Sequence, residues 1–467
     1  MIRRIFDLNA LPRRMFAAAV LMLAIGYGIA ADRLGLFPVP LIESAMTAGV
    51  KLVVDSGIRK PWYFRDSGET TPARTVDAQT MSPGLTLVTV LAADGDMRAN
   101  VVDANARVIQ GWRLNWSNMW PNATHLSPGL LPKSDPTLVH GTAVMPNGDL
   151  VFSFQGLGML RVDACGEVVW RLPYRTHHSV HVDDRGHLWT SGVITRHEKV
   201  EKLANHNPPF EDYTVVEISP DGRILMEASV LELLADSGLR GLLHLSTKRT
   251  LTTVFGDTLH VNDVETFPES LVPGVFQPGD VMISLRNINA IAVFDSKTRK
   301  VKFVSVGRVI RQHDPDFVDG NTISVLDNNN LGVGTRFTGP GPTERLSLVT
   351  PNGHYSRVVR MSATGGEKDV DVRFKGTDER PFFTDIMGTH QLLSNGNTLI
   401  TESAAGRVFE IDLNGRIVWE FFNIVGEGVV GIVPGATRLP VKFDEAFFAQ
   451  AIMACRNPEG VARAGNQ

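Results

Sequence analysis

A repeated pattern of short strands and tight turns limits what this chain can fold into. From about residue 85, runs of apolar and β-branched residues alternate with Asp-Gly, Asn-Gly and Gly-Asn turns, and helical periodicity is almost absent. Units of about four strands begin at His140, His178, His260, His313 and His390, and the segment 85–116 supplies strands for one more. One meander cannot bury both of its faces, so the repeat predicts sheets packed side by side in a ring.

We therefore predict an all-β fold, a six-bladed β-propeller with an N-terminal transmembrane or signal-anchor helix. A length of 467 residues alone would suggest about three domains, but a repeat architecture overrides that expectation. The predicted segments are an anchor at 1–33, a membrane-proximal helix and linker at 34–84, the propeller at 85–430 and a C-terminal tail at 431–467.

The N-terminus carries the signs of membrane targeting. Residues 15–31 are uncharged and predominantly apolar, Arg3, Arg4, Arg13 and Arg14 precede them, and Asp32-Arg33 follows. Basic residues stay on the cytoplasmic side, so the bulk of the chain is predicted to be exported. The sequence leaves cleavage of the segment open, and a buried core helix is the alternative reading.

Charge and cysteine content exclude several classes of partner. A net charge of -4 gives no basic footprint for nucleic acid. Cys165 and Cys455 are the two cysteines, and they show no CxxC or zinc-type spacing. They could pair in an oxidising compartment, but two unpaired thiols are the favoured expectation. No metal site and no cofactor is predicted.

The propeller geometry predicts that polar side chains from different units meet. In this architecture, the start of each first strand and the end of each second strand face the central channel at the same mouth. The first kind of position is held by His140, His178, His260, His313 and His390, and the second approximately by Gln155, Arg286, Asn328 and Glu402.

Histidines and arginine around one channel suit the transfer of an anionic group. A neutral imidazole is a nucleophile near physiological pH, and arginine binds a tetrahedral oxyanion. One histidine could attack, another could move a proton, and arginine could hold the developing charge. This convergence alone does not distinguish sulfate from phosphate. His178, His260 and His313 could also ligate a metal ion, but the nearby Arg286 cation argues against it.

Four motifs make the resemblance specific: Arg175-Thr-His-His-Ser-Val180, Leu259-His-Val-Asn262, Ile283-Ser-Leu-Arg-Asn287, and Arg311-Gln-His-Asp314 followed by Asp327-Asn-Asn. With them, residues 85–430 resemble the bacterial arylsulfate sulfotransferases. The resemblance implies a six-bladed propeller that moves a sulfuryl group from a phenolic ester to another phenol. It also implies a sulfohistidine intermediate and no nucleotide donor.

The resemblance also implies roles for individual residues. His313 is the histidine that is transiently sulfated, His178 and His260 assist proton transfer and oxyanion binding, and Arg286 binds the sulfuryl oxygens. The expected substrate-binding residues are His177, Asn262 and Asn328, and His177 could replace His178. His140 and His390 fit structural roles equally well and are left out of this set.

The predicted partners are a phenolic sulfate donor, a phenol acceptor and, through the N-terminal helix, a membrane. The expected location is the bacterial inner membrane with the catalytic domain facing the periplasm, or an exported form if the signal is cleaved. The alternative function is a non-catalytic propeller that binds a small anion or scaffolds a membrane complex.

Overall fold

The computed structural model of the chain describes residues 11–34, 37, 63–132, 137–246, 253–330, 355–365 and 370–457. More than half of the predicted linker at 34–84 lies outside these residues. The α-helices are α1 (Leu11–Leu34), α2 (Trp116–Met119), α3 (Val230–Asp236) and α4 (Glu445–Arg456). Short 3-10 helices lie at Pro128–Leu130, Glu201–Leu203, Arg240–His244, Arg286–Ile288 and Ser403–Ala405.

Helix α1 is a unit distinct from the sheets. Its segment Pro12–Ala31, with a mean hydropathy of 1.8, is long and apolar enough to cross a bilayer, judged by length and composition. The N-terminal apolar helix predicted from the sequence is therefore present, and its role as an anchor or as a signal stays a prediction.

The strands in the described part of the chain form six large sheets and one small one. Sheet 1 consists of β29 (Gly435–Arg438), β3 (Thr86–Leu91), β4 (Met97–Val102) and β5 (Val108–Leu114). Sheet 2 consists of β6 (Val139–Val144), β7 (Leu150–Phe154), β8 (Gly158–Val162) and β9 (Val168–Leu172). Sheet 3 consists of β10 (Thr176–Val182), β11 (Leu188–Arg196), β12 (His206–Ile218) and β13 (Ile224–Ser229), with β14 (Val254–Asp257) parallel to β12.

The remaining sheets follow the same antiparallel order. Sheet 4 consists of β15 (Val261–Thr266), β16 (Asp280–Leu285), β17 (Ala290–Asp295) and β18 (Lys300–Val306). Sheet 5 consists of β19 (His313–Asp319), β20 (Thr322–Asp327), β21 (Arg357–Ser362) and β22 (Val370–Lys375). Sheet 6 consists of β23 (Thr389–Leu392), β24 (Thr398–Glu402), β25 (Arg407–Ile411), β26 (Ile417–Phe422) and β2 (Ala73–Thr75). The small sheet consists of β1 (Phe64–Asp66), β28 (Val429–Gly431) and β27 (Ile424–Gly426).

The first strands of these sheets form a closed ring. Strand β6 contacts β10, β10 contacts β15, β15 contacts β19, β19 contacts β23, β23 contacts β29, and β29 contacts β6. The main hydrophobic clusters lie between neighbouring sheets, as in the cluster that joins sheets 3 and 4 through Phe210, Val264 and Phe294. The fold is all-β and propeller-like, which confirms the predicted class.

Strands from the N-terminal and C-terminal parts of the chain pair with each other and close the ring. Strand β29 pairs with β3, and β2 pairs with β26, so N-terminal and C-terminal strands share two sheets. Residues 435–438 therefore belong to the sheets, although they follow the predicted propeller boundary at 430. This pairing answers how the ring closes, a point that the turn pattern did not address.

A buried ion pair lies at the closure. Arg438 on β29 is 4% exposed, and its Nη2 lies 3.1 Å from Oε2 of Glu410 on β25. Its Nε donates to Oγ1 of Thr86 at 2.9 Å, and its guanidinium lies 5.2 Å from the ring centroid of Trp419. One cation thus joins sheets 1 and 6.

The expectation of two unpaired thiols is wrong. Cys165 and Cys455 form a disulfide with a Cα–Cα distance of 6.1 Å. Cys165 lies in the turn after β8, and Cys455 lies in the last turn of α4. Residues 290 positions apart meet because α4 packs back onto the ring, a tertiary placement that cysteine spacing cannot reveal.

Breaking the closing ion pair should destabilise the fold. We expect Arg438→Met to lower the free energy of unfolding by about 3–5 kcal/mol, because it leaves the Glu410 carboxylate buried without its cation. Urea unfolding followed by tryptophan fluorescence measures the change. The double variant with Glu410→Gln should recover most of the loss, because the neutral amide oxygen can still accept from Ser82 N and Asn397 Nδ2. An Arg438→Met protein as stable as wild type would contradict the closure role.

Candidate active site

The first strands bend where the predicted site residues lie. Pairing with the second strand shifts register after His140, between His177 and His181, and after His313. His178 and His260 have φ of 59° and 53°, a left-handed conformation that costs non-glycine residues of order 1–3 kcal/mol. Such strain persists where the surrounding structure enforces it, and here it turns the imidazoles towards one another.

Gly141 permits the close approach of two of these strands. It has φ +61°, and a Cβ there would lie 2.4 Å from the carbonyl oxygen of His178. Any larger residue would push β6 away from β10. The glycine therefore sets the spacing between His140 and His178.

Three histidines form a continuous hydrogen-bonded chain, which we call the histidine chain. His140 Nδ1 lies 2.9 Å from His178 Nδ1, and His178 Nε2 lies 3.0 Å from His260 Nε2. All three side chains are buried. Both ring nitrogens of His178 are occupied by other histidines.

A carboxylate ends the histidine chain. Asp257 Oδ2 lies 2.7 Å from His260 Nδ1, and the Tyr213 hydroxyl donates to Asp257 Oδ1 at 2.9 Å. The parallel pairing of β14 with β12 brings Asp257 beside Glu211, two residues from Tyr213. Burial raises the pKa of Tyr213 well above its ordinary value, so the hydroxyl keeps its proton and remains a donor.

The hydrogen bonds of Asn328 fix the tautomer of His313. Asn328 Nδ2 donates to the carbonyls of Thr384 and Met387 at 2.9 and 2.8 Å, so Oδ1 is the atom that faces His313. That oxygen lies 2.7 Å from His313 Nδ1, which must therefore carry the proton. His313 Nε2 keeps its lone pair, is buried, and has no hydrogen-bond partner among the described residues.

Arg286 follows β16 and supplies the positive charge of the site. Its Nη2 lies 3.9 Å from Asp257 Oδ2 and donates to Oδ1 of Asn287 at 3.2 Å. Burial lowers the pKa of Arg286 to about 10, with Asp257 opposing the shift, so the guanidinium remains charged. Arg286 therefore forms its ion pair with Asp257.

Burial disfavours the protonated form of the site histidines. Desolvation, followed by the charge of Arg286, lowers the pKa of His313 to about 3, and burial lowers the pKa of His140 to about 3. Burial and neighbouring imidazoles lower the pKa of His178 well below its ordinary value. The pKa of His260 is lowered by burial and Arg286, while Asp257 raises it. Unprotonated imidazole nitrogens are thus available near pH 7.

His177 and Asn262 flank the histidine chain. The rings of His177 and His178 are 4.2 Å apart, and those of His177 and His260 are 4.8 Å apart. Asn262 donates from Nδ2 to the carbonyl of Gln312 at 2.8 Å, and its buried Oδ1 has no partner among the described residues. Nitrogens of His177, His178 and His260 lie within 4.8 Å of one another, but a mutual hydrogen bond and the Arg286 charge disfavour a cation there.

A cavity of about 310 Å³ runs along the channel and is lined in part by His140, His178, Asn262 and His313. Its volume suits a small aromatic ligand. The carboxyl group of Asp314 also lines this cavity, next to His390. His390 Nδ1 lies 3.1 Å from Oδ2 of Asp314. His390 is therefore hydrogen-bonded to a carboxyl group and is not part of the histidine chain.

The structure brings the predicted residues together. His178, His260 and His177 are in mutual ring contact, the rings of His178 and His313 are 5.8 Å apart, and Arg286 borders the same group. Sequence reasoning passed over His140, although its spacing to the turn glycine matches that of His178. The sequence did not point to Asp257 or Tyr213, because only the parallel pairing of β14 with β12 brings them together at the site.

Comparison with known proteins points to one family. The profile of the arylsulfotransferase (ASST) family matches residues 141–424, which is more than half of the chain. No curated protein matches the chain.

Three similar solved structures share little sequence with the chain. A protein of unknown function from Bacteroides caccae is 10% identical, with 76% of this chain and 98% of that chain covered and a TM-score of 0.43. A virginiamycin B lyase from Staphylococcus aureus is 13% identical, with 62% and 72% covered and a TM-score of 0.33. The Cps50 (Swd1) β-propeller domain of Myceliophteria thermophila is 7% identical, with 79% and 90% covered and a TM-score of 0.37. The fold assignment rests on the sheet topology instead.

The neutral state of His313 should be visible in the pH dependence of stability. In the unfolded chain His313 binds a proton below its ordinary pKa of 6.5, whereas in the folded protein its pKa is about 3. Stability therefore falls as pH falls from 6.5 towards 3. Between pH 7 and pH 5 we expect wild type to lose about 2 kcal/mol more unfolding free energy than His313→Asn, measured with urea. Buried carboxyls with raised pKa act in the opposite direction but are common to both proteins. Equal pH dependence of the two proteins would contradict a neutral, buried His313.

Proposed function

The chain belongs to the arylsulfotransferase family, and on that premise we propose that it moves a sulfuryl group from an aryl sulfate to a phenol through a sulfohistidine at His313. One observation carries the proposal: His313 Nε2 is an unprotonated, buried nitrogen with no hydrogen-bond partner in the described part of the chain, on a ring whose other nitrogen donates to Asn328. Such a nitrogen is a positioned nucleophile.

In the first half-reaction, the lone pair of His313 Nε2 attacks the sulfur of the donor ester. The new bond joins nitrogen to sulfur, the bond from sulfur to the phenolic oxygen breaks, and its electron pair leaves on that oxygen. Arg286 holds the sulfuryl oxygens and keeps its positive charge through the step.

In the second half-reaction, the acceptor phenol loses its proton and its oxygen attacks the sulfur of the sulfohistidine. The nitrogen–sulfur bond breaks, and His313 Nε2 regains its lone pair. Because Asn328 continues to accept from Nδ1, the ring returns to the tautomer that can attack again. The donor and acceptor then use the same site in turn.

Other residues of the site support these steps. His178 and His260 assist proton transfer, while His177 and Asn262 contact the substrate. Oδ1 of Asn262, which has no hydrogen-bond partner among the residues that the structure describes, is available to a hydroxyl. Asn328 acts on His313 and not on the substrate. Since the nitrogen–sulfur link is energy-rich, the best donors are sulfate esters of phenols with good leaving ability.

We also propose an exported location. Helix α1 provides the hydrophobic segment, the flanking arginines place the N-terminus inside, and the disulfide between Cys165 and Cys455 fits an oxidising compartment. The protein then resides at the inner membrane with residues 85–430 on the periplasmic side, or is released there if the signal is cleaved.

Reporter fusions test this location. Alkaline phosphatase folds only after export, so a fusion at residue 84 should be active, and one that lacks residues 1–33 should be inactive. Fractionation of the full chain then separates anchored from released protein. A phosphatase fusion that stays inactive with residues 1–33 present would contradict export.

Intact mass spectrometry tests the chemistry. Incubation with p-nitrophenyl sulfate and no acceptor should add one sulfuryl group to the protein, and peptide mapping under non-acidic conditions should place it on His313. Phenol should remove the adduct and form phenyl sulfate. His313→Asn should form no adduct and lose activity by about 1,000-fold or more, because the nucleophile is absent.

A matched control is His125→Gln, since His125 is a partly buried histidine that does not line the cavity and whose Nε2 lies 2.7 Å from the carbonyl oxygen of Leu157, a contact that a glutamine amide can keep. This variant should form the adduct as wild type does. If wild type releases p-nitrophenol without any adduct, the sulfohistidine route is wrong. If it neither releases p-nitrophenol nor gains mass, the binding-scaffold reading replaces the enzyme.

A further inference from the structure

Neither histidine expected to move protons has a ring nitrogen free for the substrate. His178 is bonded to His140 and His260, and His260 is bonded to His178 and Asp257. The open end of the chain is His140 Nε2, which is buried, has no partner among the described residues, and belongs to a side chain that lines the channel cavity.

From this arrangement we propose that Asp257, His260, His178 and His140 form one proton relay in which His140 is the catalytic residue that exchanges the proton with the phenolic oxygen. Asp257 is a positioning residue that acts through His260. The inference rests on the proposed sulfuryl transfer and adds to it a residue that the sequence left outside the site.

The relay has one self-consistent arrangement without an extra proton. Asp257 accepts from His260 Nδ1–H, so His260 Nε2 carries a lone pair and accepts from His178 Nε2–H. His178 Nδ1 then accepts from His140 Nδ1–H, which leaves the lone pair of His140 on Nε2. In this state, His140 is a base.

The same distances serve the state with one more proton. His140 Nε2 takes the proton from a phenol, His140 Nδ1 then accepts from His178 Nδ1–H, and His178 Nε2 accepts from His260 Nε2–H. His260 becomes an imidazolium that donates to Asp257. Each of the three hydrogen bonds is kept, and only its direction or charge changes.

The positive charge of this second state has one favourable place. Burial and neighbouring imidazoles oppose charge on His140 and His178, whereas Asp257 favours it on His260. Burial raises the pKa of Asp257, but the hydrogen bond from His260 and the charge of Arg286 outweigh it and hold the pKa below its usual range. The carboxylate thus stays ionised beside the imidazolium.

The two states match the two half-reactions. Cleavage of the donor ester leaves a phenolate, which takes the extra proton from His140 and departs as a phenol. The relay is then a base, and it removes the proton of the acceptor as the acceptor attacks sulfur. The relay loses one proton in the first half-reaction and regains one in the second, so the overall exchange of one phenol for another is balanced.

The dependence on the leaving group tests the relay. p-Nitrophenolate leaves without a proton, whereas phenolate from phenyl sulfate needs one. We expect His140→Asn, whose amide can still donate to His178, to slow single-turnover cleavage of phenyl sulfate about 100-fold or more while cleavage of p-nitrophenyl sulfate changes only about threefold or less. His125→Gln, the matched control outside the cavity, should treat both donors as wild type does.

Asp257→Asn reads the relay from its other end and covers the case in which His140→Asn does not fold. It should show the same selective loss on phenyl sulfate, which a merely structural change would not produce. Equal loss on both donors in folded variants, or no loss on either, would overturn the relay while the adduct on His313 of wild type would still stand. Absence of that adduct in wild type would overturn the sulfuryl transfer and the relay together.

Discussion

The whole structure depends on contacts between neighbouring sheets. Each sheet of about four strands has two faces to bury, and the hydrophobic clusters lie where one sheet packs on the next. A linear row would leave the outer faces of its first and last sheets in water, so the ring must close. Strands β29 and β2 close it by pairing across the chain termini, and Arg438 is buried between the two sheets that meet there.

Closure of the ring buries the side chains of the site. Burial in the channel disfavours the charged imidazolium, and the pKa of His140 and of His313 falls to about 3. Burial also strengthens each polar contact, so the carboxylate of Asp257 favours positive charge on His260, whereas the cation of Arg286 opposes it. The proposed nucleophile His313, the histidine chain and the cation of Arg286 thus lie together in one buried region.

The backbone accepts strain to bring these groups together. His178 and His260 adopt the left-handed conformation, and Gly141 lets β6 approach β10 closely enough for the first hydrogen bond of the histidine chain. Such local cost is tolerated because the inter-sheet packing around it is extensive. The tautomer of His313 is held in this way, because Asn328 Oδ1 accepts from His313 Nδ1–H while Asn328 Nδ2 donates to the carbonyl of Thr384.

The sequence by itself determined the all-β class, the strand and turn units, the apolar helix and the set around His313, because turn glycines and alternating residues act locally and recur at fixed spacing. It could not place His140 in the site, because a histidine at the start of a strand gives the same sequence pattern whether its role is structural or catalytic. Asp257, Tyr213 and the disulfide depended on tertiary structure alone. A parallel strand added to sheet 3 and a helix folded back on the ring bring them into contact, and such long-range contacts leave no periodic trace in the chain.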